Sequence, residues 1–230
     1  MDDPVAATTT ALEALLGGDL LEVTLLSLFV SGAATAISLV IGLPLGTWLA
    51  LARFRSRGLA MSVVNTGMAL PPVVVGLFVA FMLWRSGPLG GLGLIYTPTA
   101  MIIAEVIIAA PIVIGLTVAA LGQLDPRLRL QLLGLGASRL QMVWWLWREA
   151  RLPLLAALMA AFGSVISEVG AAMMVGGNIR HQTRVLTTSI VLETGKGEFL
   201  AAIGLGIVLL SLAFVVNAIL TRAQQAGPGR

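Results

Sequence analysis

Five long apolar stretches, at roughly residues 20–52, 59–84, 99–121, 152–176 and 199–221, constrain this chain more than any other feature. A helix needs about 20 apolar residues to cross a hydrocarbon core of roughly 30 Å, and each stretch reaches that length. Of 230 residues, 58% are hydrophobic and 11% charged, far from the roughly 25% charged content of soluble domains. The mean hydropathy of +0.99 agrees. The expected fold is all-α and integral to a membrane, with five transmembrane helices in one domain over residues 20–222. A segment at 1–19 precedes it and a tail at 223–230 follows.

Two spans carry irregularities. The first is longer than one crossing requires, so it tilts, projects from the bilayer, or bends near Gly42-Leu43-Pro44. In the second, Pro71-Pro72 removes backbone hydrogen bonds and predicts a kink.

The distribution of basic residues sets the orientation. Arg53, Arg55, Arg57, Arg127, Arg129, Arg139, Arg148, Arg151, Arg222 and Arg230 fall on one side; Arg85, Arg180, Arg184 and Lys196 fall on the other. Cytoplasmic loops carry the excess of Lys and Arg. The N-terminus, with Asp2, Asp3, Glu13, Asp19 and Glu22, is therefore expected outside, and the C-terminus inside, in a multi-pass membrane protein. The acidic opening Met1-Asp2-Asp3-Pro4 does not fit a cleaved signal peptide. The basic residues are spread between spans, which does not suit a nucleic-acid surface.

Several chemistries lack their residues. There is no cysteine, hence no disulfide framework or thiolate site. His181 is the only histidine and no carboxylate-rich cluster accompanies it in sequence, so no metal site is expected. Neither a G-x-x-x-x-G-K-[ST] phosphate loop nor a G-x-S-x-G nucleophile elbow occurs. The chain is not expected to be an enzyme or to hydrolyse ATP, and no cofactor is expected in it.

Segment 122–151 mixes apolar and basic residues, and contains Gly134, Gly136 and Trp144-Trp145-Leu146-Trp147 ahead of Arg148. It reads as amphipathic cytoplasmic helix, with the tryptophans as interfacial anchors. Glu105 and Glu168 lie within the third and fourth spans, where a carboxyl group costs at least about 2.5–3.5 kcal/mol unless it faces protein or water. The small residues around Glu168, from Gly163-Ser164 to Gly170-Ala171-Ala172, permit close packing and a solvated seam. A pathway role and a structural hydrogen bond both remain open there. The outer segment Gly176-Gly177-Asn178-Ile179-Arg180-His181-Gln182-Thr183-Arg184 joins a glycine turn to polar donors and two guanidinium groups. Such donors suit oxyanions, and a plain solvated loop fits the residues equally.

Gly136-Ala137-Ser138-Arg139-Leu140-Gln141 resembles the core of the coupling segment of binding-protein-dependent ABC importer permeases. The usual Glu-Ala-Ala before the glycine is replaced by Leu130-Gln131-Leu132, and Pro153 follows the glycine at a longer interval than usual. Arg148-Glu149-Ala150-Arg151 is similar to the longer variant of tungstate-type permeases. The block Ile166-Ser167-Glu168-Val169-Gly170-Ala171-Ala172-Met173-Met174-Val175-Gly176-Gly177-Asn178-Ile179 resembles the matching region of tungstate permeases, and the Gly-Glu-Phe-Gly-Ala and Gly-Asn-Ile stretch of molybdate and sulfate permeases.

The resemblance implies a type I ABC importer permease fold with a cytoplasmic coupling helix, in the bacterial cytoplasmic membrane. It further implies a homodimer with one pathway on its two-fold axis, two ATP-binding subunits that carry ATP and Mg, and an extracytoplasmic binding protein delivering an oxyanion, tungstate first. Gly136, Ala137, Ser138, Arg139 and Gln141 would contact the ATPase. Glu168, Gly170, Gly176, Gly177, Asn178, Thr183 and Arg184 would line the pathway or gate. Alternatives are a molybdate or sulfate permease and, less well matched, a proton-coupled secondary transporter using a buried Glu as relay. An intramembrane hydrolase built on Ser164, Ser167 and Glu168 lacks a positioned histidine or second acid.

Overall fold

The computed structural model describes residues 18–225, all of whose regular elements are helical. Ten α-helices follow one another: α1 (Gly18–Leu51), α2 (Arg57–Met68), α3 (Pro72–Leu83), α4 (Pro98–Gly122), α5 (Pro126–Gly134), α6 (Arg139–Glu149), α7 (Arg151–Ile166), α8 (Gly170–Gly176), α9 (Leu186–Lys196) and α10 (Phe199–Gln225). One 3₁₀ turn, Gly90–Leu92, precedes α4. The expected 1–19 segment falls almost wholly outside the described residues, and the 223–230 tail starts as the last turn of α10.

Three helices, α1, α4 and α10, are each long and apolar enough to cross a membrane unaided. The other two expected spans are broken. Pro71 and Pro72 do more than kink the second: Pro71 adopts extended backbone, Pro72 starts α3, and α2 meets α3 at 97°. A proline starts a helix well because its missing N–H has no intrahelical partner there, but it cannot continue one. The fourth stretch divides at Ser167-Glu168-Val169 into α7 and the seven-residue α8. At 1.5 Å per residue α7 alone reaches about 24 Å, short of the core thickness.

Helix runs unbroken from Gly18 to Leu51 with Pro44 inside it. Its length of about 51 Å exceeds the bilayer core, so it projects, tilts or bends at Pro44.

Helix α4 is the central post, contacting α1, α2, α3, α7 and α8. Glycines set the α1–α4 spacing: a Cβ at Gly42 would lie 2.6 Å from Val113 Cγ1, and one at Gly46 2.6 Å from Thr117 Cβ. Small residues let membrane helices approach closely where no hydrophobic drive between helices exists. A similar contact seats α8 on α3, where a Cβ at Gly76 would lie 2.6 Å from Ala171 Cα.

Three buried clusters follow. Val30, Val79, Met101, Ile108, Ala172 and Val175 pack where α1, α3, α4 and α8 meet; Ala109, Val113, Ala161 and Val165 join α4 to α7; Ala120, Leu121, Met142, Leu146 and Ala150 join α4 to α6. Many large apolar side chains elsewhere are exposed, among them Val40, Trp48, Phe78, Phe81, Leu210 and Phe214. That outward apolar surface suits lipid or a further subunit.

Candidate functional site

The coupling segment is two helices, α5 and α6. Asp125 caps α5 by accepting from the Arg127 backbone N–H at 2.8 Å. Gly136 then turns the chain with φ +83°, a left-handed conformation that glycine adopts without steric penalty. Helix α6 opens on a reciprocal capping box: Gln141 N–H donates to Ser138 Oγ at 3.3 Å, and Ser138 N–H donates to Gln141 Oε1 at 2.8 Å. The sequence offered Ser138 and Gln141 as ATPase contacts; in this fold they also start the helix. Gly136, Ser138, Arg139 and Gln141 are exposed, Ala137 half-buried. Leu135 and Leu140 beside them are 86% and 83% exposed, an apolar pair on a polar face of the kind a partner protein covers.

Helix α6 meets α7 at 75°. Its inner face, Met142 and Leu146, packs against the end of α4. The tryptophans divide: Trp144 and Trp145 face outward, with the Arg148 guanidinium 5.0 Å above the Trp145 ring, whereas Trp147 turns inward. Its indole N–H donates to Thr47 Oγ1 on α1 at 2.8 Å. Two of the three thus face outward, and the third links the coupling helix to the first span.

At the break in the fourth span, Glu168 is half-buried and its Oε1 accepts from Ala171 N–H at 3.0 Å, at the start of α8. Thr187 Oγ1 donates to the Glu168 carbonyl at 2.9 Å, tying the unwound turn to α9. A carboxylate at a helix N-terminus satisfies an orphan donor and meets the positive end of the helix dipole.

Glu105 lies close by. It is only 3% exposed, and its Oε2 has no hydrogen-bond partner among the described residues. Glu105 and Glu168 line one cavity of about 10 Å³ with Ser27, Ser31 and Thr187. That is the minimum volume for one water molecule. Sequence reasoning treated the two acids separately. The hydroxyls Ser27, Ser31, Thr35 and Ser38, spaced along one face of α1 and all buried, were the sequence signal that a polar seam faces α4.

The outer segment folds around Thr183, which is fully buried. Its hydroxyl donates to the Gly176 carbonyl and accepts from Ile179 N–H. Gly177 ends α8 in the left-handed region, and a Cβ there would lie 2.8 Å from Tyr96. Arg184 donates to Asn178, through Nε to the side-chain Oδ1 at 3.3 Å and through Nη2 to the carbonyl at 3.4 Å. Arg180 pairs with Asp19, and His181 Nδ1 lies 2.7 Å from Glu22 Oε2. Of the residues assigned to pathway or gate, Gly176 and Thr183 are interior supports of this turn, Gly170 opens α8 beside Glu168, and Asn178 and Arg184 bond each other.

His181 is not the isolated surface residue that its sequence context suggests. Asp19 and Glu22, one helical turn apart at the start of α1, bring their carboxylates to the imidazole, so ligand atoms of all three lie within 4.8 Å of one another. Arg180 occupies Asp19, and the imidazole nitrogens face a carboxylate each. The arrangement works as a polar clasp between α1 and the outer turn.

Comparison with known proteins places these features. A family model described as binding-protein-dependent transport system inner membrane component matches residues 42–226. The chain is 42% identical over 200 residues to the tungstate uptake system permease protein TupB of Peptoclostridium acidaminophilum, covering 87% of this chain and 88% of that one. It is 40% identical over 216 residues to a probable anion ABC transporter permease protein of Haloferax volcanii, covering 92% and 93%. Among solved structures, a bacterial ABC transporter involved in the import of the acidic polysaccharide alginate superposes with a TM-score of 0.77 at 18% identity, over 96% of this chain and 84% of that one.

Proposed function

The chain belongs to the family of inner membrane components of binding-protein-dependent transport systems, and from that premise we propose that it carries tungstate across the cytoplasmic membrane. As a member it is a permease subunit and not an enzyme; ATP hydrolysis belongs to a separate subunit. The observation that carries the substrate is the 42% identity to a tungstate uptake permease over most of both chains. An anion transporter permease at 40% identity supports the same charge class.

In this reading two copies enclose one pathway, two ATP-binding subunits with ATP and Mg sit beneath, and a binding protein delivers the anion from outside. The N-terminus is outside and the C-terminus in the cytoplasm, an orientation that the bias of the basic residues supports. The ATPase pair closes on ATP and draws the two coupling segments together. The capped start of α6, with Gly136, Ala137, Ser138, Arg139 and Gln141, receives that movement. Helix α6 transmits it by two routes: through Met142 and Leu146 to the end of α4, and through Trp147 to α1.

At the other end the unwound turn at Glu168 is the bistable element. Two bonds hold it: Glu168 Oε1 accepts from Ala171 N–H, and the Glu168 carbonyl accepts from Thr187 Oγ1. A crossing interrupted at one turn moves its short outer piece without moving the whole span. Gly170, Gly176, Gly177, Asn178, Thr183 and Arg184 shape the segment that moves with it. The arginines are engaged with Asp19 and Asn178, which fits a pathway that passes the anion rather than one that retains it.

The test is ATP-dependent uptake into vesicles containing this chain, its ATPase and its binding protein, comparing tungstate, molybdate and sulfate. Tungstate uptake exceeding both others supports the assignment. Molybdate or sulfate preference transfers it to the alternative cargo, and uptake that survives loss of the ATPase and collapses with the proton gradient removes it from this transport class.

A further inference from the structure

At the arginine-rich end of the bundle, the last turns of α1 and α4, the first residue of α2 and one side of α5 surround an open cavity of about 900 Å³. Three guanidinium side chains line it: Arg53, Arg57 and Arg129. Apolar walls come from Leu51, Leu121, Leu124, Leu130 and Leu133. The cavity lies where the ends of two helices long and apolar enough to span a membrane, α1 and α4, meet.

The charge is unbalanced. Helix C-termini are negative, and two of the arginines already answer that: Arg57 Nε donates to the Leu49 carbonyl at 3.0 Å, and Arg129 Nη1 to the Leu51 carbonyl at 3.1 Å. These bonds fix both side chains and leave their remaining N–H groups directed elsewhere. The one carboxylate in the lining, Asp125, is occupied as the cap of α5. Among the described residues none of the three arginines has a carboxylate partner.

We propose that this cavity binds the headgroup of an anionic phospholipid, its phosphate between Arg53, Arg57 and Arg129 and its acyl chains along the leucine wall. Arginine forks match phosphate oxygens pairwise, and basic pockets between membrane helices favour anionic headgroups. A soluble anion would fill the basic part and leave the leucines against water; a zwitterionic lipid would cover the leucines and bring a second cation among the arginines. The proposal requires only that the chain spans a bilayer, and holds whichever anion the transporter carries. A lipid there would brace the ends of α1 and α4 beside the coupling helices.

The test is native mass spectrometry of the full chain, purified with its ATPase from bilayers of equal phosphatidylglycerol and phosphatidylcholine. Arg53→Gln is the first variant because this side chain caps no helix. Removing one arginine at the membrane surface is expected to lower the ratio of retained phosphatidylglycerol to phosphatidylcholine about fivefold, whereas Arg222→Gln, away from the cavity, leaves it unchanged. Arg53→Gln/Arg129→Gln lowers it further, and Arg53→Lys restores part of the single-variant loss. Equal retention of both lipids by the unmodified chain overturns the proposal, as does an equal loss in Arg222→Gln. Displacement of the lipid by inorganic phosphate also overturns it and assigns the cavity to a free anion.

Discussion

Trp147 on the coupling helix donates its indole N–H to Thr47 on the first membrane helix, 100 residues earlier, at 2.8 Å. Thr47 also donates to the Leu43 carbonyl one turn back, so the threonine hydroxyl joins α6 directly to the backbone of α1. Trp147→Phe keeps the ring and removes the donor. The expected stability loss is about 1 kcal/mol, that of one neutral hydrogen bond. The ratio of anion moved to ATP hydrolysed should fall several-fold, because the ATPase still cycles while one of its two routes into the membrane is cut. An unchanged ratio in reconstituted vesicles would confine Trp147 to packing.

The capping box at Ser138 and Gln141 predicts a separable effect. Ser138→Ala removes an acceptor from the start of α6 at a cost of about 1 kcal/mol, while Ser138→Asp retains the acceptor and places a charge on the exposed face. If α6 acts only by being a stable helix, Asp restores uptake. The expectation is that Ala lowers it moderately and Asp more strongly, since an acid at the positive dipole end favours the helix but alters the surface the ATPase meets. Uptake and ATPase assays on the same preparations distinguish the two.

Close approach of α1 and α4 is the simplest stability test. In Gly46→Ala the new methyl lies 2.6 Å from Thr117 Cβ and 2.8 Å from the Ile114 carbonyl, and backbone on one side cannot yield locally. Overpacking of about 1–3 kcal/mol follows. Gly163→Ala, where a Cβ meets nothing within 4 Å, serves as the control. Thermal unfolding should drop for the first and stay level for the second.

Much of this architecture is legible in the sequence because bilayer thickness and the Lys/Arg count act on long segments. Spans and the amphipathic coupling segment follow from composition over ten residues or more, and Pro71-Pro72 announces a kink, though the 97° angle between α2 and α3 exceeds it. What escaped depends on single contacts between distant residues. The break at Ser167-Glu168-Val169 has no proline to announce it; it is held by Glu168 capping α8 and by Thr187 from the next helix. His181 looked solitary because its carboxylates lie on α1, more than 150 positions earlier. Thr183 and Arg184 read as ligand donors from their chemistry, yet their hydrogen bonds close the turn that carries them. Asp19 and Glu22, at one-turn spacing, were the available sign that an acidic face awaited a partner.

The buried carboxyl of Glu105 yields a prediction in which stability and transport move in opposite directions. One of its oxygens has no partner among the described residues. Replacing a poorly satisfied buried polar group by an apolar side chain of similar size is often neutral or stabilising. Glu105→Met should therefore keep or raise the thermal midpoint. If the cavity shared with Glu168 serves the transport cycle, the same variant lowers uptake, and Glu105→Gln, which preserves shape and hydrogen bonding, sits between. A lowered midpoint in Glu105→Met would show that the carboxyl makes a stabilising bond, through water, in the folded protein.

Glu168 separates charge from geometry most sharply, because its carboxylate both caps α8 and is the acid nearest the break in the fourth span. Glu168→Gln presents the same Oε1 acceptor to Ala171 N–H, so the start of α8 survives; Glu168→Ala leaves that N–H unsatisfied, at about 1 kcal/mol. Three patterns then have distinct meanings. Normal uptake in Gln with loss in Ala makes Glu168 a cap alone. Loss in both, with a normal midpoint only in Gln, makes the negative charge part of the gate. That is the expected pattern, because a carboxylate facing an anion's route holds the route shut until the turn moves. Normal uptake in both would remove the break from the mechanism and return the gate to the α2–α3 bend at Pro71-Pro72.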